Sequence, residues 1–285
     1  MAESTMRVRN ISDTARWAAV FRANETARPD AMFHDPYASR LAGALGVDIA
    51  NTLPEGNSHA WAWVARTYLF DKFIEREIEQ GADMVVNLAA GLDARPYRMK
   101  LPPALQWVEV DLPEILTYKE EILAADKPTC RLERIRQDLS DAAGRKPLFA
   151  GLASRAKKIL VLTEGLIIYL DPAEVVLLAK DLAAQPTFQR WIFDLHSPGL
   201  LRIMQRTAGT QLSQVGASFK FGPAEGPAFF EPCGWKVIDV QGLLKTSARF
   251  KRPPFALRLL SHLPERKGPQ GSRPWSGVCL MGRSV

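Results

Sequence analysis

From Gly81 onward the sequence repeats one unit: a short apolar run, a break, and a stretch with helical spacing. "DMVVNLA" leads into a helix-like segment from Leu92, "LQWVEVDL" into "PEILTYKEEILAAD", "RLERIRQDL" into a turn-rich stretch, and "KKILVLTEG" into "DPAEVVLLAKDLAA". "QRWIFDLHS", "GWKVIDVQ" and "GVCLMG" follow. Parallel strands need crossover connections, and a helix is the usual crossover, so this alternation predicts a mostly parallel sheet covered on both faces. The fold class is α/β.

Before Gly81 the texture is helical. Residues 12 to 46, with Ser12 as an N-cap, "DTARWAAVFRANETA" and, past a Pro-bounded turn, "DPYASRLAGALG", predict two short helices. His59 to Gly81, "HAWAWVARTYLFDKFIEREIEQG", is rich in Ala, Leu, Glu and Arg and has Gly81 as its stop. Residues 1–80 are therefore assigned to an N-terminal helical cap and 81–285 to the core, the two forming one structural unit. The stretch from about 197 to 232 is too long for an ordinary connection and predicts a lid inserted over the carboxyl edge of the sheet. Its Phe219, Phe221, Phe229 and Phe230 are expected to enclose an apolar pocket.

Composition excludes several classes. With 47% hydrophobic and 24% charged residues the chain is not disordered. "MAESTMRVRNISDTARW" lacks the apolar core of a signal peptide, and no stretch offers the ~20 apolar residues of a membrane helix, so a cytoplasmic address with no membrane partner is expected. Cys130, Cys233 and Cys279 form no CxxC pair, and His34, His59, His196 and His262 show no HxxxH spacing, so no metal site is expected. The net charge of +6 is a tail property: residues 245–285 hold nine Lys or Arg against Glu265 alone, so that segment carries +8 and the rest of the chain −2. It contains no recognisable nucleic-acid module and reads as a solvated face or loop, with no nucleic-acid partner.

In open α/β sheets ligands bind outside the carboxyl ends of the strands, and four such ends here carry polar groups. At the first, Gly91 breaks "VVNLAAGLDARPYRM". The dinucleotide fingerprint needs three glycines, and Ala89, Gly91 and Ala94 supply one, so a less demanding ligand edge is expected against Ala90 and Gly91. Asp111, followed by Leu112, ends the second strand and reads equally as a ribose acceptor or as the N-cap of a Pro-started helix. Asp138 and Leu139 end the third, a carboxylate for an adenine amino group beside an apolar cover for its ring. Glu164 ends the fourth, placed to meet a cationic part of the ligand or to bond within its loop.

Taken in order, "NLAAGLDARPYRM", "VEVDLPEIL", "QDLSD" and "TEGLIIYL" resemble the motifs of the leucine carboxyl methyltransferase-like family of S-adenosyl-L-methionine (SAM) dependent methyltransferases, and its bacterial O-methyltransferase branch in particular. The resemblance runs from "RANETARPDAMFHDPYA" to "FDLHS" and is weak over the lid and the basic tail. It implies a Rossmann-like class I methyltransferase with a seven-stranded, mostly parallel sheet, and SAM as cofactor. It also implies roles: Asp111 and Leu112 at the ribose, Asp138 and Leu139 at the adenine, and the Ala90–Gly91 turn at the methionine portion. Glu164 would face the methionine amino end, and Arg66, in "VARTYLFD", its carboxylate. Many relatives carry glycine where this chain has Ala89.

The function this implies is O-methylation of a small metabolite at a hydroxyl or carboxyl oxygen. Carboxyl methylation of a protein C-terminus is one alternative, and a nucleotide-binding oxidoreductase or non-catalytic SAM-binding protein is another. A carboxylate acceptor is ionised at neutral pH, whereas a hydroxyl needs a base. His196, in "FDLHSP", is the candidate base or else a loop histidine bonded to backbone. Arg22, Arg28 and Tyr169 are candidates for the substrate pocket, the arginines as bidentate carboxylate grips, and Arg28 equally anchors the cap through Asp30 or Asp35. Oligomeric state is not readable from these residues.

Overall fold

The computed structural model describes residues 12–52, 59–207, 218–264, 269 and 271–284. Among these, seven strands form one sheet: β1 (Met84–Leu88), β2 (Gln106–Asp111), β3 (Arg131–Arg136), β4 (Ile159–Thr163), β5 (Phe188–His196), β6 (Trp235–Gly242) and β7 (Ser276–Arg283). Their order is β3-β2-β1-β4-β5-β7-β6. The first five pair in parallel, and β7 runs antiparallel between β5 and β6. Strands β1 and β4, apolar apart from Asn87 and Thr163, lie at the centre and are buried throughout, whereas β3, which carries Arg131, Glu133, Arg134 and Arg136, is an edge. The strand order reverses between β1 and β4, which opens the crevice where such sheets hold ligands.

Neighbouring strand residues face opposite layers, and each layer has its own helices. On one face α3 (Ala60–Glu79) lays Ala65, Leu69, Phe70, Phe73 and Ile74 against Val85, Trp107, Leu160, Ile192 and Leu280. On the other, α6 (Ala142–Ala153) and α7 (Pro172–Ala183) bring Phe149, Leu152, Val175, Leu178 and Leu182 onto Val86, Val108, Val161, Trp191 and Phe193. Each such side chain, fully buried, contributes about 1.5–3 kcal/mol. The helix ends are set locally. Gly81 stops α3 at φ 91°, a left-handed value that glycine adopts without strain, and Asp171 with Glu174 forms a capping box ahead of Pro172 in α7. Of the segment assigned to the helical cap, α3 packs its apolar stripe on the sheet itself.

The cap consists of α1 (Ser12–Thr26) and α2 (Ala38–Thr52). Trp17, Phe21, Leu41 and Ile49 pack on Leu92 and Ala94 beyond β1, on Ile115 of α5 (Pro113–Ile122), and on Ile168, Leu201 and Phe219. Between β1 and β2 lies the short helix α4 (Arg95–Arg98). The described part of the lid is α8 (Pro198–Thr207) and a 3-10 turn over Gly226–Cys233; residues 208–217 of the expected lid lie outside the described residues. Of its four phenylalanines only Phe219 reaches the pocket. Phe221, Phe229 and Phe230 turn inward, where Phe230 packs on Phe193 with ring centroids 4.5 Å apart, because the apolar layer above β5 is deep enough to take them.

The basic segment is also more anchored than a solvated face. In α9 (Leu243–Arg249) Ser247 Oγ donates to the Trp61 carbonyl, and beyond it Arg252 donates to the buried Glu25 at 2.7 Å and to Asp30, clamping the tail to α1. A further short helix, α10 (Phe255–Leu260), leaves Phe255, Leu259 and Leu260 exposed. No described helix is long and apolar enough to cross a membrane. The three cysteines are buried and unpaired.

Candidate active site

A cavity of about 490 Å³ lies at the carboxyl ends of the parallel strands, roofed by α1 and α8. The turn after β1 forms its floor. Ala89 and Gly91 both take left-handed φ values, 55° and 48°, so the chain doubles back under the cavity. Gly91 also has no room for a side chain, since a Cβ there would stand 3.2 Å from that of Ala15 on α1.

Asp111 ties this turn to the end of β2. Its Oδ2 accepts from Gly91 N at 2.6 Å and its Oδ1 from Leu112 N at 2.8 Å. It does not cap α5, whose N-cap is Leu112 and has no side-chain cap. Each carboxylate oxygen takes about two hydrogen bonds, so both retain capacity toward the cavity. Burial pushes the Asp111 carboxyl up, against the pull of these two N–H groups and of Lys119. At the end of β3, Asp138 is exposed and accepts from Ser140 N at 2.8 Å, while Gln137 and Leu139 join it in the cavity wall.

Beyond β4 the wall is ionic. Glu164 accepts from Arg66 Nε at 3.0 Å and from Arg95 Nη1 at 2.8 Å. Arg66 Nη1 reaches Asp194 on β5 at 3.2 Å, its guanidinium lies 4.6 Å over the Trp63 ring, and the other Asp194 oxygen accepts from Gly165 N at 2.6 Å. Gly165, at φ 66°, has no space for a side chain because a Cβ would meet Arg66 Nη1 at 3.2 Å. Burial works to lower the Arg66 pKa, but Asp194 and Glu164 outweigh it and hold the side chain firmly protonated. Arg95 continues the network to Asp71 and Asp93. Burial works to raise the Asp93 carboxyl, yet Arg95, Lys119 and Arg98 together hold it at about 2. Arg98 pairs with Asp71 at 2.7 Å and approaches Asp35 at 3.8 Å, and Asp35 in turn takes Arg22 at 2.8 Å, so the network ends in the cap.

Aromatic side chains line the same cavity. Trp17, Trp61, Trp63, Tyr169 and Phe219 line it with Leu200, Ile203 and Met204. Tyr169 stacks on Phe219 at 5.7 Å, and Trp17 packs on Trp63 at 5.3 Å. Burial pushes the Tyr169 phenol up to about 12, so it stays protonated. His196, the last residue of β5, also lines the cavity; burial pulls its pKa down, with Asp194 opposing and Arg66 adding to that effect, so the imidazole is neutral at neutral pH.

Of the residues singled out from sequence, Arg66, Ala90, Gly91, Asp111, Leu112, Asp138, Leu139, Glu164, His196, Arg22 and Tyr169 all line this one cavity. Arg28 does not. Its side chain is half exposed and bonds Asp30 at 3.1 Å, which is the anchoring alternative rather than the substrate one. Arg22 lines the cavity with its guanidinium already engaged, Nε on Asp35 and Nη2 on the Leu92 carbonyl at 2.6 Å. Sequence reasoning passed over Asp194, Asp93, Arg95 and the tryptophans. Asp194 did leave a signal, an acid inside the apolar run "WIFDLH"; the tryptophans left none, because an aromatic at helical spacing reads as core.

A sequence model of leucine carboxyl methyltransferases matches residues 15–183, more than half of the chain. The chain belongs to the leucine carboxyl methyltransferase family of SAM-dependent methyltransferases. A Frankia alni protein named "Putative S-adenosyl-L-methionine-dependent methyltransferase" is 32% identical over 262 residues, 84% of this chain and 88% of that relative. A Parafrankia protein with the same name is 34% identical over 60% of this chain and 58% of its own length. In fold, a DUF574-family protein from Streptomyces avermitilis superposes with a TM-score of 0.60 at 13% identity, covering 95% of this chain and 97% of its own. The donor set of this methyltransferase fits SAM. Asp111 keeps acceptor capacity facing the cavity, the two left-handed glycines bring backbone against it, and its wall carries six carboxylates against four arginines, suited to a ligand with a sulfonium and an ammonium.

Proposed function

We propose that this methyltransferase transfers a methyl group from SAM to an oxygen of a small metabolite held in this cavity. The observation that carries the reading is the joining of two unlike linings in one cavity: strand-end carboxylates, and aromatic and aliphatic side chains from α1, α3, α8 and Phe219. Asp111 is assigned the ribose hydroxyls, with Leu112 beside it. Asp138 and Leu139 take the adenine, the Ala90–Gly91 turn and Glu164 take the methionine backbone and its ammonium, and Arg66 uses its remaining Nη2 for the carboxylate. SAM supplies a methyl carbon on a sulfonium, so that the new C–O bond forms as the C–S bond breaks and its electron pair stays on sulfur. The protein's part is to hold, to align and to keep water out, and alignment is the largest contribution available to such a reaction. Trp17, Phe219 and the α8 side chains exclude water from the acceptor side.

A protein C-terminus as acceptor would need an open groove, whereas the cap and lid roof this site. The test is to incubate the purified enzyme with SAM carrying a labelled methyl group, using a metabolite extract and, separately, a protein extract. Label in a small molecule supports the proposal; label confined to protein would refute it in favour of protein carboxyl methylation.

A further inference from the structure

The cavity's charge distribution bears on which oxygen is methylated. Four arginines line it and, among the described residues, no lysine does. Arg22 is taken by Asp35 and the Leu92 carbonyl. Arg95 is taken by Asp71, Asp93 and Glu164. Arg145 is taken by Asp181 and the Leu139 carbonyl. Arg66 is paired with Glu164 and Asp194, and its remaining Nη2 is assigned to the cofactor. A carboxylate acceptor would thus enter a wall that already carries six carboxylates, with no lysine and no uncommitted arginine among the described residues to meet it, and only the donor's own sulfonium as a cation. Burying an unpaired charge is among the costliest events in a protein interior.

Beside these charges the cavity carries aromatic faces, the Tyr169–Phe219 stack with its rings 28° apart and the tilted Trp17–Trp63 pair, whose Trp63 ring also lies against the Arg66 guanidinium. Rings of this kind favour another ring laid against them. His196 opens into the same space, and no hydrogen bond from a described residue engages its imidazole, which leaves a nitrogen lone pair for an acceptor proton.

We infer that the acceptor is a neutral aromatic hydroxyl compound, its ring held by the Tyr169–Phe219 and Trp17–Trp63 faces and its O–H directed to His196, and that carboxylates are rejected. This rests on the methyltransferase reading above and narrows it. The hydroxyl proton passes to the His196 imidazole as the oxygen takes the methyl carbon, and the imidazolium then loses that proton to solvent. The products are a methyl ether, the demethylated cofactor and one proton.

The test uses a matched pair, a naphthol and the corresponding naphthoate, which share a ring system and differ in the reacting group. Calorimetry in the presence of the demethylated cofactor should show the naphthol binding about a hundredfold or more tightly than the naphthoate. Phe219→Leu should weaken the naphthol about tenfold while SAM affinity stays the same. With labelled SAM the product should resist mild alkali, as an ether does. Equal or tighter binding of the naphthoate, or label released by alkali as methanol from an ester, overturns the inference, and so does SAM binding with no affinity for either ring compound. Absence of SAM binding is a different result, and would strike the underlying methyltransferase reading.

Discussion

Asp111→Ala probes the cofactor assignment, and the structure fixes both its size and its control. The carboxylate has two duties: it holds Gly91 N at 2.6 Å and Leu112 N at 2.8 Å, and it presents its remaining acceptor capacity to the cavity. Losing the ribose contact removes a hydrogen bond to a charged group, about 1.5–3 kcal/mol, which is roughly ten- to a hundredfold or somewhat more in SAM affinity. Losing the two backbone contacts orphans two donors at about 1–3 kcal/mol each if they stay dry. Both line the cavity, where water can replace the carboxylate, so the stability loss should fall near the lower end, about 2 kcal/mol in total. Calorimetry with SAM and with its demethylated product, run where circular dichroism shows the variant to be native, separates affinity from folding. A folded Asp111→Ala protein that binds SAM with wild-type affinity would refute the ribose assignment.

Three further outcomes follow from particular residues. Turnover on a hydroxyl acceptor should rise with pH through the depressed pKa of His196, below about 6.5, and be level above it; His196→Ala should abolish that limb and lower turnover roughly 10²- to 10⁴-fold. Because the folded imidazole resists protonation while the unfolded one does not, stability should also fall as pH drops below about 6.5, and His196→Ala should flatten that slope in urea titrations at several pH values. Ala89→Gly should raise the unfolding free energy by about 0.5–1 kcal/mol, since the left-handed φ of 55° strains a Cβ by more than glycine's extra chain entropy costs; a lower melting temperature would show that the turn is not strained. Arg252→Met should cost about 2–4 kcal/mol by leaving the buried Glu25 without its main cation, and an unchanged melting temperature would show that the tail does not brace α1.

The sheet was legible because its signal is local. An apolar run such as "KILVLT" has no other way to bury both faces than as a central strand, and Pro113 and Pro172 mark helix starts by their fixed φ. The strand-end residues were legible for a related reason, since fold topology alone brings Gly91, Asp111, Asp138 and Glu164 to one edge. What depends on side-chain reach was not. Nothing near Arg66 in the chain announces Glu164, 98 residues away, or Asp194, 128 away. The same holds for Phe221, Phe229 and Phe230, which share a composition with Phe219 and differ from it only in which layer the chain turns them toward. The packing partner of α3 was not legible either, because an amphipathic stripe states that a face is buried without stating against what.

The ion-pair network ties the strand ends of the cavity to the cap. It runs from Asp194 through Arg66, Glu164, Arg95, Asp71 and Arg98 to Asp35 and Arg22, and so passes from β5 into the cap. Glu164 meets Arg66 and Arg95, and Asp71 meets Arg95 and Arg98, so removing either carboxylate takes a partner from two buried arginines at once, at a cost of order 3–5 kcal/mol. That coupling fixes Arg66 over the Trp63 ring and holds Glu164 and Asp194 at the cavity in advance of any ligand. On the proposed assignment these carboxylates bind the sulfonium donor, whose charge disappears as the methyl leaves, so they contribute to donor affinity and leave the rate to alignment of the acceptor and exclusion of water. The cap is then more than a cover: through Arg22 and Asp35 it is built into the electrostatic frame that it closes.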